Sequence, residues 1–384
     1  MYTLRPYQQD AVDKGLEYLT SKGGKPSIMV LPTGSGKSLV LAEIARKVGE
    51  PILIFQPTKE ILEQNYGKLM DYNAKGVSIY SASKGQKDIG NITLATIGSV
   101  HRKVELFHHF KHVLVDECHL VNPHMGMYKN FLEEVGDKVI GVTATPYRLY
   151  SNSFGAQLRF LTRTRPKVFS RVLHVTQIPD LASKGFFART EYYDVDGFVR
   201  KNIRLNSTGA DYLDESLFAY YARINFDQRL IKAVNRLLNI GRKRILVFTK
   251  FVHEAQALAE AIGSDATVID GSMRKRDREQ VIKNFRDGVT PVICNVGVLT
   301  TGFDYPELDT VVLARPTRSL SLYYQMVGRC VRPHPEKESA WVVDMCGNMR
   351  TFGRVEDLVL IEPRPNMWAV MSQGRMLTNV YLDD

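Results

Sequence analysis

The chain has 384 residues, 44% hydrophobic and 24% charged, with 51 Lys and Arg against 41 Asp and Glu. That length exceeds one hydrophobic core and implies two domains or more. No apolar run approaches bilayer-spanning length, the start Met1-Tyr2-Thr3-Leu4-Arg5 has no signal-peptide core, and Cys118, Cys294, Cys330 and Cys346 are too dispersed for a disulfide framework or a zinc cluster. These features point to a reducing compartment, with the cytoplasm as the default, and away from a membrane. The net charge of +10 is unevenly spread. Residues 147–225 carry 12 Lys and Arg against 7 acids, while residues 1–146 carry 17 against 15 and residues 226–384 carry 22 against 19. A basic middle segment suits a polyanion partner, although a solvated basic face has the same composition.

In chain order, Leu4–Val12 leads into a helix with apolar positions at Ala11, Val12, Leu16 and Leu19. The Gln8 amide offers the side-by-side donor and acceptor that an adenine edge requires, and Arg5 stands beside it. A β run at 27–30 then meets Leu31-Pro32-Thr33-Gly34-Ser35-Gly36-Lys37-Ser38, which opens a helical pattern over 39–45. Strand, glycine turn and Lys-Ser at a helix start form a recipe for a triphosphate cradle. Gly34 and Gly36 let successive N–H groups point inward, Lys37 neutralises phosphate oxygens, and the Ser38 hydroxyl suits Mg²⁺. An ordinary Gly/Ser turn with a surface lysine is the plainer alternative, and Leu31 occupies the place where the strict motif has Gly.

Short β-branched runs at 52–55, 77–80, 92–95, 113–115 and 139–142 alternate with helical stretches such as 59–70 and 129–135. Continuous apolar strands separated by helices predict a parallel sheet covered on both faces, with ligand-binding residues at the carboxyl ends of the strands. One such end reads Asp116-Glu117-Cys118-His119, and the next reads Thr143-Ala144-Thr145-Pro146. Two adjacent carboxylates after a buried strand are costly without a cation. Asp116 is therefore a candidate Mg²⁺ ligand with Ser38, and Glu117 a candidate base for the attacking water, with His119 in a coupling role.

Residues 147–225 break the alternation. Arg148, Arg159, Arg163, Arg165, Lys167 and Arg171 cluster among Phe154, Phe160 and Phe169, and Phe186-Phe187 and Tyr192-Tyr193 follow. A second alternating unit begins near Phe226. It has helices over 229–238, 253–262, 275–286 and 321–331, and strands at 245–248, 267–269, 292–295 and 310–313. Arg329 and Arg332 are three apart, so on the last helix they share one face, and an anion before them would relieve their repulsion.

Taken together, Leu31–Ser38, Asp116–His119 and Thr143–Pro146 resemble motifs I, II and III of superfamily 2 helicases of the DExH group. Phe55–Leu62 and Ala95–Val100 resemble motifs Ia and Ib, and Leu246–Lys250, Asn295–Asp304 and Gln325–Arg332 resemble motifs IV, V and VI. More narrowly, motif order over residues 1–350 is similar to the RadD-like DNA helicases of bacteria and their compact phage relatives. The chain departs from that family in lacking clustered cysteines near its end.

The resemblance implies two RecA-like lobes in tandem. Residues 1–146 form the ATP-binding lobe, 147–225 a basic insertion, 226–350 the second lobe and 351–384 a tail. ATP and Mg²⁺ are the implied ligands, and ATP is bound between the lobes. Arg5, Gln8, Thr33, Gly34, Ser35, Gly36, Lys37, Ser38, Gly302 and Asp304 are the implied nucleotide contacts. The implied chemistry falls to Lys37, Asp116, Glu117, His119, Gln325, Arg329 and Arg332. Thr58, Lys59, Thr96, Ser99, Thr249, Lys250 and Thr300 are the implied nucleic-acid contacts. The basic composition adds Arg163, Arg165 and Lys167 to that track. The expected protein is a monomeric ATP-driven helicase or translocase, acting on DNA sooner than RNA. A duplex translocase that does not separate strands and an ATP-gated clamp are the alternatives.

Overall fold

The computed structural model describes residues 3–152, 155–300 and 305–382, and the chain divides into two compact units. The first comprises Met1–Arg148, Arg159–Gln177 and Val359–Val370. In chain order its main elements are α1 (Pro6–Thr20), β1 (Ser27–Val30), α2 (Lys37–Lys47), β2 (Ile52–Phe55), α3 (Lys59–Asp71), β3 (Val77–Ser81), β4 (Gln86–Lys87), β5 (Ile92–Ala95), α4 (Ile97–Val100), β6 (His112–Asp116), α5 (Met127–Glu134) and β7 (Lys138–Thr143). After β8 (Tyr147–Asn152) and β9 (Gly155–Phe160), which pair with each other and fall mostly in the second unit, β10 (Arg171–Val175) completes the list.

The sheet order is β10-β1-β7-β6-β2-β5-β3-β4, parallel throughout except for β4. Strands β1, β2, β5, β6 and β7 are buried at every residue, as their unbroken apolar runs require in a sheet covered on both faces. Helices α1, α2 and α3 bury Val12, Leu41, Ile44 and Leu62 against Met29, Ile54 and Leu114. Lys138 opens β7 deep in this core. Its ammonium donates to Tyr18 O (3.1 Å), Ser21 Oγ (2.9 Å) and Gly23 O, at and beyond the C-terminal end of α1, where a cation is favoured.

The second unit comprises Leu149–Leu158, Ile178–Leu358 and Met371–Asp384. It contains α6 (Ile178–Ser183), β11 (Thr190–Asp194), α7 (Asp214–Arg223), α8 (Phe226–Asn239), β12 (Ile245–Thr249), α9 (Val252–Ile262), β13 (Ala266–Ile269), α10 (Lys275–Arg286), β14 (Val292–Asn295), β15 (Thr310–Ala314), α11 (Leu320–Val327), β16 (Ala340–Asp344) and α12 (Asn348–Phe352). Its six strands run β11-β16-β15-β12-β14-β13, all parallel. Near the end of the chain, β17 (Leu358–Ile361), β18 (Ala369–Ser372) and β19 (Arg375–Met376) form a small sheet.

Two sequence expectations change here. The stretch 147–225, read as an insertion, supplies an edge strand to each sheet. β10 lies beside β1, and β11 lies beside β16. His174 of β10 fastens the first edge through Asp10 of α1 (2.8 Å) and Thr176 (2.7 Å). Most of its aromatics are packing groups, with Phe160, Phe169, Phe187 and Phe198 buried, while Phe154 lies outside the described residues. The other change concerns the expected helix over 321–331, which stops at Val327, with Gly328 as its C-terminal cap. Arg329 and Arg332 therefore follow the helix in a turn and do not share a helical face.

Glu254 on α9 gives the second unit a pH-dependent stability. Burial pushes its carboxyl up to about 8, with Asp227 adding and the Phe251 N–H opposing, and Oε1 is buried without a partner. A raised carboxyl stabilises the fold fully below its unfolded value of 4.5. That contribution is lost as pH rises through about 8, and it is on the order of a few kcal/mol. Glu254→Gln is expected to match wild type in thermal melts near pH 5 and to melt higher at pH 9. Parallel pH profiles would refute a protonated Glu254.

Candidate functional site

Most of the functional side chains read from the first unit's sequence lie at the carboxyl ends of its strands. After β1 the chain turns through Gly34 (φ 79°) and Gly36 (φ 83°) before α2 starts at Lys37. The φ of Gly36 favours glycine, and a Cβ there would stand 2.4 Å from Gln8 Nε2 and displace that amide. Gln8 is buried, and its amide is engaged: Nε2 donates to Ser35 O (2.7 Å), and Oε1 accepts from Arg5 N (2.8 Å). Tyr7 OH donates to the same Ser35 O (2.8 Å). Gln8 thus holds the phosphate loop to α1. One N–H and one lone pair remain for any base.

Asp116 ends β6, and Glu117 follows it in the left-handed conformation (φ 48°, ψ 48°). Such a backbone costs a non-glycine residue about 1–3 kcal/mol. It turns the Glu117 carboxylate onto the Lys37 ammonium, and both side chains are largely shielded from water. On its other side Glu117 meets His119 Nδ1 (3.3 Å), which also contacts Thr143 Oγ1 (2.9 Å). Thr143 Oγ1 in turn accepts from Thr145 N (3.0 Å). Strand ends β6 and β7 are thereby tied by one polar chain running from Lys37 to Thr145.

Burial would raise the Glu117 carboxyl, but Lys37 and His119 outweigh it and hold it well below the usual carboxylate range. Burial also works against the Lys37 charge, and Glu117 and Asp116 outweigh it to hold the ammonium above its ordinary value. Asp116 goes the other way. Burial, helped by the Glu117 charge and opposed by Lys37, pushes it up to about 6. A carboxylate in that position gains from a cation brought beside it. Ser38, in the first turn of α2, is half-buried at the same edge. Ser35 Oγ and Thr145 Oγ1 are buried without partners, so the edge has donors to spare for an oxyanion. These residues fit a magnesium-bound triphosphate.

Asn65, which sequence reading missed, and Gln56 of the Phe55–Leu62 motif complete the carboxylate's setting. Asn65 on α3 donates to Asp116 Oδ2 (3.3 Å) and to Gln56 Oε1 (2.8 Å), and both amides are buried. Asn65 sits 51 positions from Asp116 in sequence. Only the polar face of an otherwise amphipathic helix hinted at it. Helix α3 begins at Thr58, whose Oγ1 accepts from Ile61 N (3.3 Å), and Lys59 Nζ donates to Ser83 O (3.1 Å). Thr96 and Ser99 share a hydrogen bond (2.9 Å), and Ser99 Oγ accepts from Ala82 N (2.9 Å). The residues of the two middle motifs thus converge on one polar rim after β2, β3 and β5. Arg163 is half-buried, whereas Arg165 and Lys167 are exposed.

In the second unit, Thr249 is buried and Lys250 is held by Asp211 (3.0 Å) and Asp214 (3.2 Å). Thr300 is half-buried in a turn, while Gly302 and Asp304 lie outside the described residues. Gln325 lies on α11, and its carbonyl accepts from Arg329 Nε (3.2 Å); Arg332 follows, half-buried. Asp344 and Asn348 organise the ends of β15 and β16. Asp344 accepts from Cys346 N (3.0 Å) and Met349 N (2.6 Å), and Asn348 Oδ1 accepts from Thr317 N (3.0 Å) and Arg200 (2.5 Å).

A phosphate loop at the first strand of a parallel sheet, facing an Asp-Glu pair two strands away, defines a nucleoside-triphosphatase core of the RecA type. Residues 1–148 match the family described as type III restriction enzyme, res subunit, and residues 229–334 match the helicase conserved C-terminal domain. The chain belongs to the superfamily 2 helicases, and its two sheets are RecA-like lobes. It is 25% identical over 332 residues to a 51.5 kDa protein of a Lactococcus phage, covering 84% of this chain and 66% of that one. The DNA 3'-5' translocase XPB2 of Sulfurisphaera tokodaii is 24% identical, over 86% of this chain and 78% of its own. A solved structure of the ATP-dependent Type ISP restriction-modification enzyme LlaBIII bound to DNA shares the fold at a TM-score of 0.65 and 17% identity, covering 89% of this chain and 27% of that one. The chain spans only half to two thirds of the length of several curated relatives, the phage protein among them. Among the described residues no helix is long and apolar enough to cross a membrane.

Proposed function

We propose that this protein couples ATP hydrolysis to movement along nucleic acid, with DNA as the substrate, and acts as a helicase. The observation that carries the proposal is the Lys37–Glu117 ion pair beside Asp116, placed after β1 and β6 in a chain matched by both helicase-type family models. Magnesium, held by Ser38 and Asp116, would draw charge from the phosphates. An incoming phosphate competes with Glu117 for Lys37, and the released carboxylate accepts a proton from the attacking water. His119 and Thr143 keep Glu117 aimed while Lys37 moves. Gly34 and Gly36 leave room for the loop's N–H groups to reach oxygens, and Gln8, Thr33 and Arg5 border the nucleotide. The resemblance alone would assign Gln325, Arg329 and Arg332 to the phosphates and Gly302 and Asp304 to the nucleotide.

For nucleic acid, the rim of Thr58, Lys59, Thr96 and Ser99 offers hydroxyls and an ammonium to a phosphodiester backbone. Thr249, Lys250 and Thr300 would continue that track in the second lobe, with Lys250 exchanging its carboxylate partners for a phosphate. Arg165 and Lys167, exposed, and Arg163 beside them add charge in the first. Steady-state ATPase with single-stranded DNA, duplex, forked DNA and RNA in parallel tests the reading. Stimulation by DNA above RNA supports it, and turnover indifferent to every polymer rejects it. The likeness to a protein named as a DNA 3'-5' translocase favours one second reading, a duplex translocase that leaves strands paired. Strand release from a tailed duplex separates the two, and any turnover dismisses an ATP-gated clamp.

A further inference from the structure

The second unit contains an open cleft of about 1390 Å³, built from the 197–205 loop, α12 and residues 375–382. Its lining includes Arg200, Lys201, Arg204, Arg318, Arg350 and Arg375 and, among the described residues, no acidic one. Arg350 is neutralised by Asp194 (3.0 Å). Arg200 instead donates to Cys346 O (3.0 Å), Thr317 O (3.2 Å) and the Asn348 amide, and Arg375 donates to Thr351 O. Neutral oxygens fix a guanidinium in place without cancelling its charge. Lys201 and Arg204 are exposed, with no carboxylate within ion-pair distance among the described residues. The cleft therefore concentrates positive charge, with Arg200 and Arg375 tied to neutral oxygens and Lys201 and Arg204 open to solvent.

An anion is the occupant this wall fits, and its apolar parts narrow the class. Tyr381 is 46% exposed at the cleft, whereas the Tyr212 and Phe352 rings in its lining are buried. One exposed planar side chain beside exposed cations suits a base stacked along a phosphate backbone. The volume exceeds the roughly 300–1,000 Å³ of an ordinary small-molecule pocket, so a strand fits better than a free phosphate. We infer that this cleft is a binding groove for single-stranded nucleic acid, lying outside the helicase motifs and using Lys201 and Arg204 for phosphates and Tyr381 for a base. The inference rests on the nucleic-acid reading above.

The test uses the full chain, a fluorescent oligo(dT) and a salt titration followed by anisotropy. Lys201→Ala with Arg204→Ala should lower the slope of log affinity against log salt by about 1.4, two contacts at about 0.7 each. Tyr381→Ala should weaken binding about 5- to 150-fold with the slope unchanged. ATPase without nucleic acid should be unaltered in both, which also reports that the variants fold. If wild type binds the oligonucleotide and the variants bind it equally with parallel lines, the groove assignment is overturned while the functional reading stands. If wild type binds no oligonucleotide at any salt, the functional reading fails and takes the groove with it. A double variant that keeps oligo(dT) but loses a polyglutamate peptide would reassign the cleft to an acidic protein and overturn the proposal.

Discussion

Lys37→Ala is expected to abolish ATP turnover, and Glu117→Gln to abolish it in a different way. The ammonium of Lys37 is paired with Glu117, and in the proposed reaction a phosphate competes for it. Removing it deletes phosphate neutralisation and leaves the Glu117 charge with only His119 and Thr143 for support. Breaking a shielded ion pair from one side costs roughly 3–5 kcal/mol, so a lowered melting temperature is expected beside the lost activity. Asp116 should then rise further, because the cation that opposes its protonation is gone. Glu117→Gln keeps the shape and removes the base, and it also relieves Asp116 of an adjacent charge. That variant should bind magnesium-ATP at least as tightly as wild type while turning it over at under a thousandth of the rate. Equilibrium binding of a fluorescent nucleotide, a thermal melt and a turnover assay on both variants distinguish these outcomes. Wild-type turnover in Glu117→Gln would remove the carboxylate from the reaction.

The different visibility of these residues in the sequence has a physical basis. Strands such as Ile52–Phe55 and Ile245–Thr249 are buried on both faces, so each prints an unbroken apolar run that local reading detects. Edge strands have one neighbour and one wet face. Arg171–Val175 and Thr190–Asp194 are mostly half-exposed, and their mixed composition concealed two strands in what read as an insertion. The end of α11 is hidden in the sequence because apolar residues continue to Val331, whereas Gly328 caps the helix after Val327. Lys37, Asp116 and Glu117 were legible because their chemistry depends on short local spacing. Asn65 was not, since its meaning comes entirely from a carboxylate 51 residues away. Gln8 was singled out for a base edge, and the structure adds a second task to it, holding Ser35 in the phosphate loop. The Lys37–Glu117 pair itself belongs to this class, since neither residue's neighbourhood in sequence announces the other.

Arg329→Ala is expected to lower kcat by about 10³-fold or more while changing nucleotide affinity little. The guanidinium lies just past α11, where its Nε donates to Gln325 O (3.2 Å) and fixes the base of the fork. A helix end also disfavours extra anions there, because its carbonyls carry the negative end of the dipole. A cation in that place offsets that dipole, and in the proposed reaction its guanidinium serves charge that grows during phosphoryl transfer. An arginine supplied to such a transition state contributes about 10³–10⁵ in rate, and the effect falls on kcat because the charge is absent from the ground state. Lysine cannot replace the planar fork, so Arg329→Lys should stay within about tenfold of the alanine variant. Arg332→Ala should show the same pattern, as two half-buried arginines in one turn serve one anion better than either alone. Single-turnover rates and nucleotide binding measured on the same preparations settle it. Unchanged kcat with a raised KM would mean that these arginines hold the ground state only, and that the charge of the transition state is met elsewhere.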